Sequence, residues 1–197
     1  FIAGAQISDG GKPLRFLPET QSILSAAQPA TVVLPSLNVQ NAREEDARTP
    51  GQNRFAAPVE ADISLENAGT WTTLPSGDRV WQCEIRSAGA LGLVLLFDEF
   101  RLPPGGRFFA WSSDEKRMYG AFTERSCIPS GKFTVGVLSG EAARLEYFEP
   151  ADARGATKMH LNRVDVAYDR VAMQEGEVAG LLDFGQSLPC NININCP

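Results

Sequence analysis

The sequence predicts an all-β fold: an antiparallel β-sandwich, jelly-roll-like, with an irregular N-terminal arm (1–60) and a C-terminal linker. Three observations lead there. Strand-length segments follow one another at intervals of 10 to 15 residues across 61–168, and no helical period separates them. The breaks are turn words: Pro103-Pro104-Gly105-Gly106, Ser112-Ser113-Asp114, Pro129-Ser130-Gly131 and Ser139-Gly140. With 43% apolar and 21% charged residues, the 197-residue chain can bury a sizeable core.

Along the arm, Gly10-Gly11, Pro13, Pro18, Pro29, Pro35, Pro50-Gly51 and Pro58 recur too often for long elements. A short helix is expected from Pro18-Glu19 to about Ala27, with proline in its first turn. The run Arg43-Glu44-Glu45-Asp46-Ala47-Arg48 reads as a solvated charged face, or as a contact for a partner protein.

The sandwich signal is clearest at Arg79–Arg86. There Trp81, Cys83 and Ile85 alternate with Gln82, Glu84 and Arg86. Leu91–Phe97 is a continuous apolar run, as expected of a strand covered on both faces. Further strands are expected at 107–111, 117–123, 132–138, 143–149 and 159–168; in the third of these, Phe133, Val135 and Val137 share a face. The predicted core joins Trp81, Ile85, Leu93, Leu95, Phe97, Phe109, Phe122, Phe133, Val135, Leu145 and Tyr147. Over 169–189 the alternation is lost, and Gln174–Gly180 and Asp183-Phe184-Gly185 read as linker.

Charge and composition exclude several classes. A net charge of −6 with 18 scattered basic residues offers no electrostatic footprint for nucleic acid. No apolar run approaches the length of about 18 residues needed for a membrane span. One histidine and no Cys-x-x-Cys spacing argue against a zinc site, so no metal or cofactor is expected. Four cysteines fit disulfides outside the cytoplasm, hence a secreted or periplasmic location, and Phe1 in place of Met is expected to reflect a removed N-terminus.

The disulfide candidates are Cys83, Cys127, Cys190 and Cys196. A Cys83–Cys127 bond would close about 45 residues and stabilise by roughly 4 kcal/mol in the chain-entropy model. The alternative is a buried free Cys83 with Cys127 free in its loop. Cys190 and Cys196 fall on one side of an extended segment, which allows a local pair. His160, between Met159 and Leu161, is expected to point away from the core; with no Gly-x-Ser-x-Gly or Gly-Asp-Ser-Gly word, no catalytic residue is assigned. Asp114, Glu115, Glu124 and Glu149 form no calcium-loop word. Of the tryptophans, Trp81 reads as core and Trp111 as the better exposed candidate for a sugar platform.

The run Phe184-Gly185-Gln186-Ser187-Leu188-Pro189-Cys190-Asn191-Ile192-Asn193-Ile194-Asn195-Cys196-Pro197 resembles the opening of the catalytic domain in secreted bacterial lysyl-endopeptidase-like, trypsin-like serine proteases. Gly185, Cys190, Asn191, Ile192, Cys196 and Pro197 fit the family pattern. Upstream, Asn67–Trp71, Gly77–Trp81, Glu84–Ala90, Phe97–Gly105, Gly120–Thr123 and Glu146–Pro150 resemble words of that family's N-terminal propeptide region, so the likeness spans about 23–197. Gln186–Pro189, Cys83 and Cys127 depart from it.

The resemblance implies a propeptide that assists folding of a protease and inhibits it temporarily. Its partner is the cognate serine protease catalytic domain, of which 169–197 would hold the linker and first residues; the active-site residues would lie in the missing remainder. It further implies that Cys190 and Cys196 each reach into that domain. By analogy the mature enzyme begins at Gly185, after Phe184; the nearest upstream basic residue is Arg170, which makes cutting there, with later trimming, the other route. Arg170 would also be the natural occupant of a basic-specific pocket. The alternative to the whole reading is a carbohydrate- or surface-binding β-sandwich.

Overall fold

Period-two alternation divides Arg79–Arg86 into two faces, and the computed structural model, which describes residues 7–49 and 54–169, keeps that division. Trp81, Cys83 and Ile85 enter the core while Gln82, Glu84 and Arg86 lie on the opposite face.

Two sheets share this core. The first contains β1 (Ala30–Val33), β4 (Arg79–Arg86), β9 (Ala142–Glu149), β6 (Arg107–Ser112) and β7 (Met118–Phe122) in that spatial order, with β3 (Thr70–Thr73) also on β4. The second orders β2 (Ala56–Ser64), β10 (Lys158–Ala167), β5 (Gly92–Arg101) and β8 (Phe133–Ser139). Leu93, Leu95 and Phe97 of β5 meet Trp81, Ile85, Leu145 and Tyr147 from the facing sheet. Phe100 stacks on Phe133 at a centroid distance of 4.1 Å. Gly69, at φ +76°, starts the chain into β3; a Cβ there would stand 2.3 Å from the Trp81 indole, so only glycine fits.

Most pairings are antiparallel, but β1 runs parallel to β4, with Ala30 opposite Cys83 and Val33 opposite Arg86. β3 is antiparallel on the rest of the same β4 edge, from Thr70 opposite Gln82 to Thr73 opposite Arg79. The wholly antiparallel expectation is corrected here, because the parallel partner comes from a segment whose prolines hide it.

Within the segment read as an irregular arm, residues 8–33 are in fact built onto the first sheet. Asp9 N–H donates to the Ala121 carbonyl at 2.9 Å, and Ala121 N–H returns a bond to Gly10 at 3.0 Å, so the chain lies along β7. A 3-10 turn at Leu14–Phe16 then crosses β9, and α1 (Pro18–Ala26) follows at the expected place. Leu24 of α1 is fully buried against Leu74 and Val80. The chain next reaches the far edge of β4 as β1, and continues into α2 (Val39–Arg48), whose N-cap is Asn38: its side chain accepts the Asn41 N–H at 3.1 Å. Residues 8–33 therefore cross the outer face of the first sheet from one edge to the other.

Three smaller expectations change. Phe109 leaves the predicted core and packs with Trp111 and Ala121 on the outer face, while Phe108 takes the inner position. In β8, Phe133 and Val135 point inward, but an irregularity in the β5–β8 register puts Leu138 rather than Val137 inside. Val94 and Leu96 of β5 are only half-buried, so the strand expected to be covered on both faces is fully covered on one.

Candidate partner-docking site

β10 lies between β2 and β5, and Tyr168 and Asp169, which follow it, are the last described residues before 170–197. The backbone N–H groups of Tyr168 and Asp169 both donate to the Phe55 carbonyl, at 3.0 and 3.2 Å. The Tyr168 ring is buried with Ala42 and Ala57, and its hydroxyl donates to Asp46 at 2.5 Å. Arg54 completes the clamp. Its guanidinium donates to Asp46 at 2.8 Å, to Glu45 at 3.0 Å and to the Ala42 carbonyl at 3.1 Å. The hydrogen bond to Glu45, then those to Tyr168 and Asp46, raises the Arg54 pKa above its already high ordinary value. Burial first, and then donation to Asp46, raises that of Tyr168, which keeps the phenol a donor.

The charge run of α2 is thus split. Glu45 and Asp46 hold the end of the second sheet, whereas Arg43, Glu44 and Arg48 stay exposed. Beside the clamp lies a cleft of about 440 Å³ lined by Val39, Arg43, Gly89, Leu91, Tyr168 and Asp169. Apolar walls with one cationic and one acidic group suit a partner's amphipathic side chain, and the cleft opens where the chain departs toward residue 170.

His160 points away from the core, as expected, and is bound on both sides. Nδ1 lies 2.7 Å from Asp98 of β5 and Nε2 lies 3.1 Å from Asp62 of β2. Partial burial alone would lower its pKa, but the two carboxylates outweigh that and raise it. The imidazole bridges three strands as an ion bridge, and both of its nitrogens face carboxylates.

Cys83 and Cys127 are free thiols, which corrects the paired expectation in favour of the unpaired one. Cys83 faces the core in mid-strand; burial first, then the Glu84 charge, pushes its thiol up to about 12. Cys127 follows a 3-10 turn at Glu124–Ser126, and its Sγ accepts the Leu102 N–H at 3.3 Å. Each thiol is fixed by different neighbours, one within a sheet and the other beyond the end of β5. Cys190 and Cys196, and the junction candidates Arg170, Phe184 and Gly185, lie outside the described residues.

Trp111 is not an exposed platform. It is buried at 1% exposure, with Phe16 edge-on at 5.5 Å. Trp81 is fully buried, and half-buried Trp71 donates its indole N–H to Leu65 beneath the Arg79 guanidinium. The candidate calcium carboxylates are separate: Asp114 accepts from Ser112 and Lys116, while Glu149 binds Arg79 and Gly155. Among the described residues no His, Cys, Asp or Glu cluster could hold a metal ion, and no helix is long and apolar enough to cross a membrane.

Sequence reasoning missed Arg54, Tyr168 and Glu146. Glu146 is buried on the outer face of β9, where it accepts the N–H groups of Leu14 at 2.5 Å and Arg15 at 3.1 Å. Alternation alone places that glutamate in solvent; the arm that covers it comes from more than 130 residues away. A scan against protein-family models finds no match for this chain.

Proposed function

We propose that this chain is the propeptide of a secreted bacterial, lysyl-endopeptidase-like serine protease, acting as folding assistant and temporary inhibitor and carrying no catalysis of its own. The observation that carries this reading is the anchored end of the second sheet. Tyr168 and Asp169 are clamped beside an open cleft immediately before the stretch that leads to the protease-like run Gly185–Pro197. A departure point held this firmly would present residue 170 onward to a partner in a defined direction. His160 supports a non-catalytic reading too, since its hydrogen bonds go to carboxylates and not to a hydroxyl nucleophile.

The mechanism is linkage. A module that binds native protease better than the unfolded chain stabilises the native fold, and the covalent tether supplies a high effective concentration. Cleavage in the 169–189 stretch removes the tether. In this reading Arg170 occupies the basic-specific pocket until then, and Cys190 and Cys196 each reach into the catalytic domain.

The fold proposal is jelly-roll winding. Numbering β2 and β4 to β10 as eight consecutive strands, the sheets order as 1-8-3-6 and 2-7-4-5, the pattern of two interleaved Greek keys. Such a sandwich also serves as a carbohydrate-binding module, but the burial of Trp111, its candidate platform, weighs against that alternative.

The test adds the full chain in trans to a lysyl-endopeptidase-like catalytic domain. Slowed hydrolysis of a lysyl or arginyl substrate, with an increased refolding yield, is expected. No effect on either overturns the proposal. Weaker inhibition by Arg170→Ala is expected if Arg170 fills the pocket; unchanged inhibition removes that step alone.

A further inference from the structure

The chain holds four lysines, Lys12, Lys116, Lys132 and Lys158, against fourteen arginines, and all four lie among the described residues. Each of these side chains is exposed, so a lysine-specific pocket can reach it. Reaching the side chain is not enough for cleavage. A serine protease draws several residues on both sides of the cut into its groove as an extended strand, and the residue after the lysine must leave its own contacts.

Three of the lysines are held by the fold. Lys116 sits in the turn between β6 and β7, where its N–H donates to Asp114 at 3.2 Å. The N–H of Arg117 donates to the Ser112 hydroxyl at 3.1 Å, and the Arg117 carbonyl accepts the Ser112 N–H at 2.9 Å. Glu115 stands at φ +60°, so the turn must open before it can extend. Lys132 precedes Phe133, which is buried and stacked on Phe100. Lys158 begins β10 opposite Arg101, and the next residue, Met159, is buried in the core. Drawing Phe133 or Met159 into a protease groove pulls β8 or β10 away from β5.

Lys12 is different. A Cβ at Gly11 would meet nothing within 4 Å, so the chain just before Lys12 stands clear of the sheet. Here protection is chemical, because residue 13 is proline. Its ring fixes φ and replaces the N–H, so the bond presents a ring-locked, substituted leaving nitrogen to a catalytic histidine and is a poor substrate.

We propose that the folded chain is refractory to lysine-specific cleavage, with Pro13 guarding the one lysine that the fold leaves clear, so that a lysyl-specific protease destroys this inhibitor only when it unfolds. The role rests on the propeptide reading; the resistance rests on the placement of these residues. The stability of the sandwich then sets how long the chain survives beside the protease.

The test incubates the full chain with a molar excess of purified lysyl endopeptidase and follows intact mass, while a lysyl p-nitroanilide substrate reports protease activity. The excess leaves free enzyme in the tube whether or not the chain inhibits. Wild type is expected to survive in native buffer, and cuts after Lys116, Lys132 and Lys158 should rise together with the unfolded fraction in urea. Pro13→Ala should be cut after Lys12 about tenfold faster than wild type, with residues 13–197 left whole. A cut confined to Lys12 marks loss of the guard, since an unfolded variant would be cut at every lysine. Native cutting of wild type after Lys116, Lys132 or Lys158 overturns the inference, as does an unchanged rate at Lys12 in Pro13→Ala. The propeptide reading fails separately, by an intact chain that leaves p-nitroanilide hydrolysis at its full rate.

Discussion

Tyr168 at the end of the second sheet donates its hydroxyl to Asp46 of α2 at 2.5 Å. The bond ties the point of chain departure to a helix from the first fifty residues, with Arg54 bracing the same carboxylate. Tyr168→Phe keeps the ring and deletes the donor. A loss of about 1–2 kcal/mol in urea unfolding is expected for a hydrogen bond to a charged acceptor that retains its arginine partner. On the proposed propeptide reading, inhibition of a lysyl-endopeptidase-like protease in trans should weaken more than stability does.

The arm belongs to the fold, so its core contact should behave like any other core contact. Leu24, fully buried against Leu74 and Val80, is the probe. Leu24→Ala should cost about 2–5 kcal/mol, whereas Glu19→Ala on the exposed side of α1 should stay within about 0.5 kcal/mol. Equal, negligible effects in denaturant melts would show that the arm is dispensable.

The Asp98–His160–Asp62 bridge makes stability depend on pH in a defined direction. The folded-state pKa of His160 lies above its ordinary value near 6.5. Its stabilisation is therefore fully present below that value and is lost as pH rises through the raised folded-state value. Urea midpoints across about pH 6 to 8.5 should decline for the wild type, and the decline should be smaller in His160→Gln. Parallel profiles for the two proteins would contradict the bridge.

The thiols offer a chemical check. Cys83 should resist iodoacetamide in the native chain, because it is buried and its pKa is pushed up to about 12. Cys127, half-buried with a more modestly raised pKa, should react slowly, and both should react at once on unfolding. Recovery of a Cys83–Cys127 crosslinked peptide from native digests would refute the free-thiol assignment.

Much of the sheet architecture was legible because strand alternation is a local property. Arg79–Arg86 and the segments that became β5 to β10 sit within a few residues of their expected bounds. α1 starts at the proline that announced it. β1, β2 and α2 were missed because Pro29, Pro35 and Pro58 give loop signals at short range, while β1 and β2 form only by pairing with strands far along the chain. The same limit hid the site. Asp46, Arg54 and Tyr168 are each unremarkable in sequence, and nothing local joins them.

Alone, the sequence determined which residues alternate, where the turns fall and that the chain is mostly β. Tertiary structure decided which faces are covered. It turned Phe109 and Trp111 under the arm, buried Glu146 against two backbone amides, left Cys83 and Cys127 as free thiols, and left the β3–β1 edge open among the described residues. The reason is physical: periodicity reports which way a side chain points, whereas burial, pKa and edge pairing depend on what distant chain arrives there.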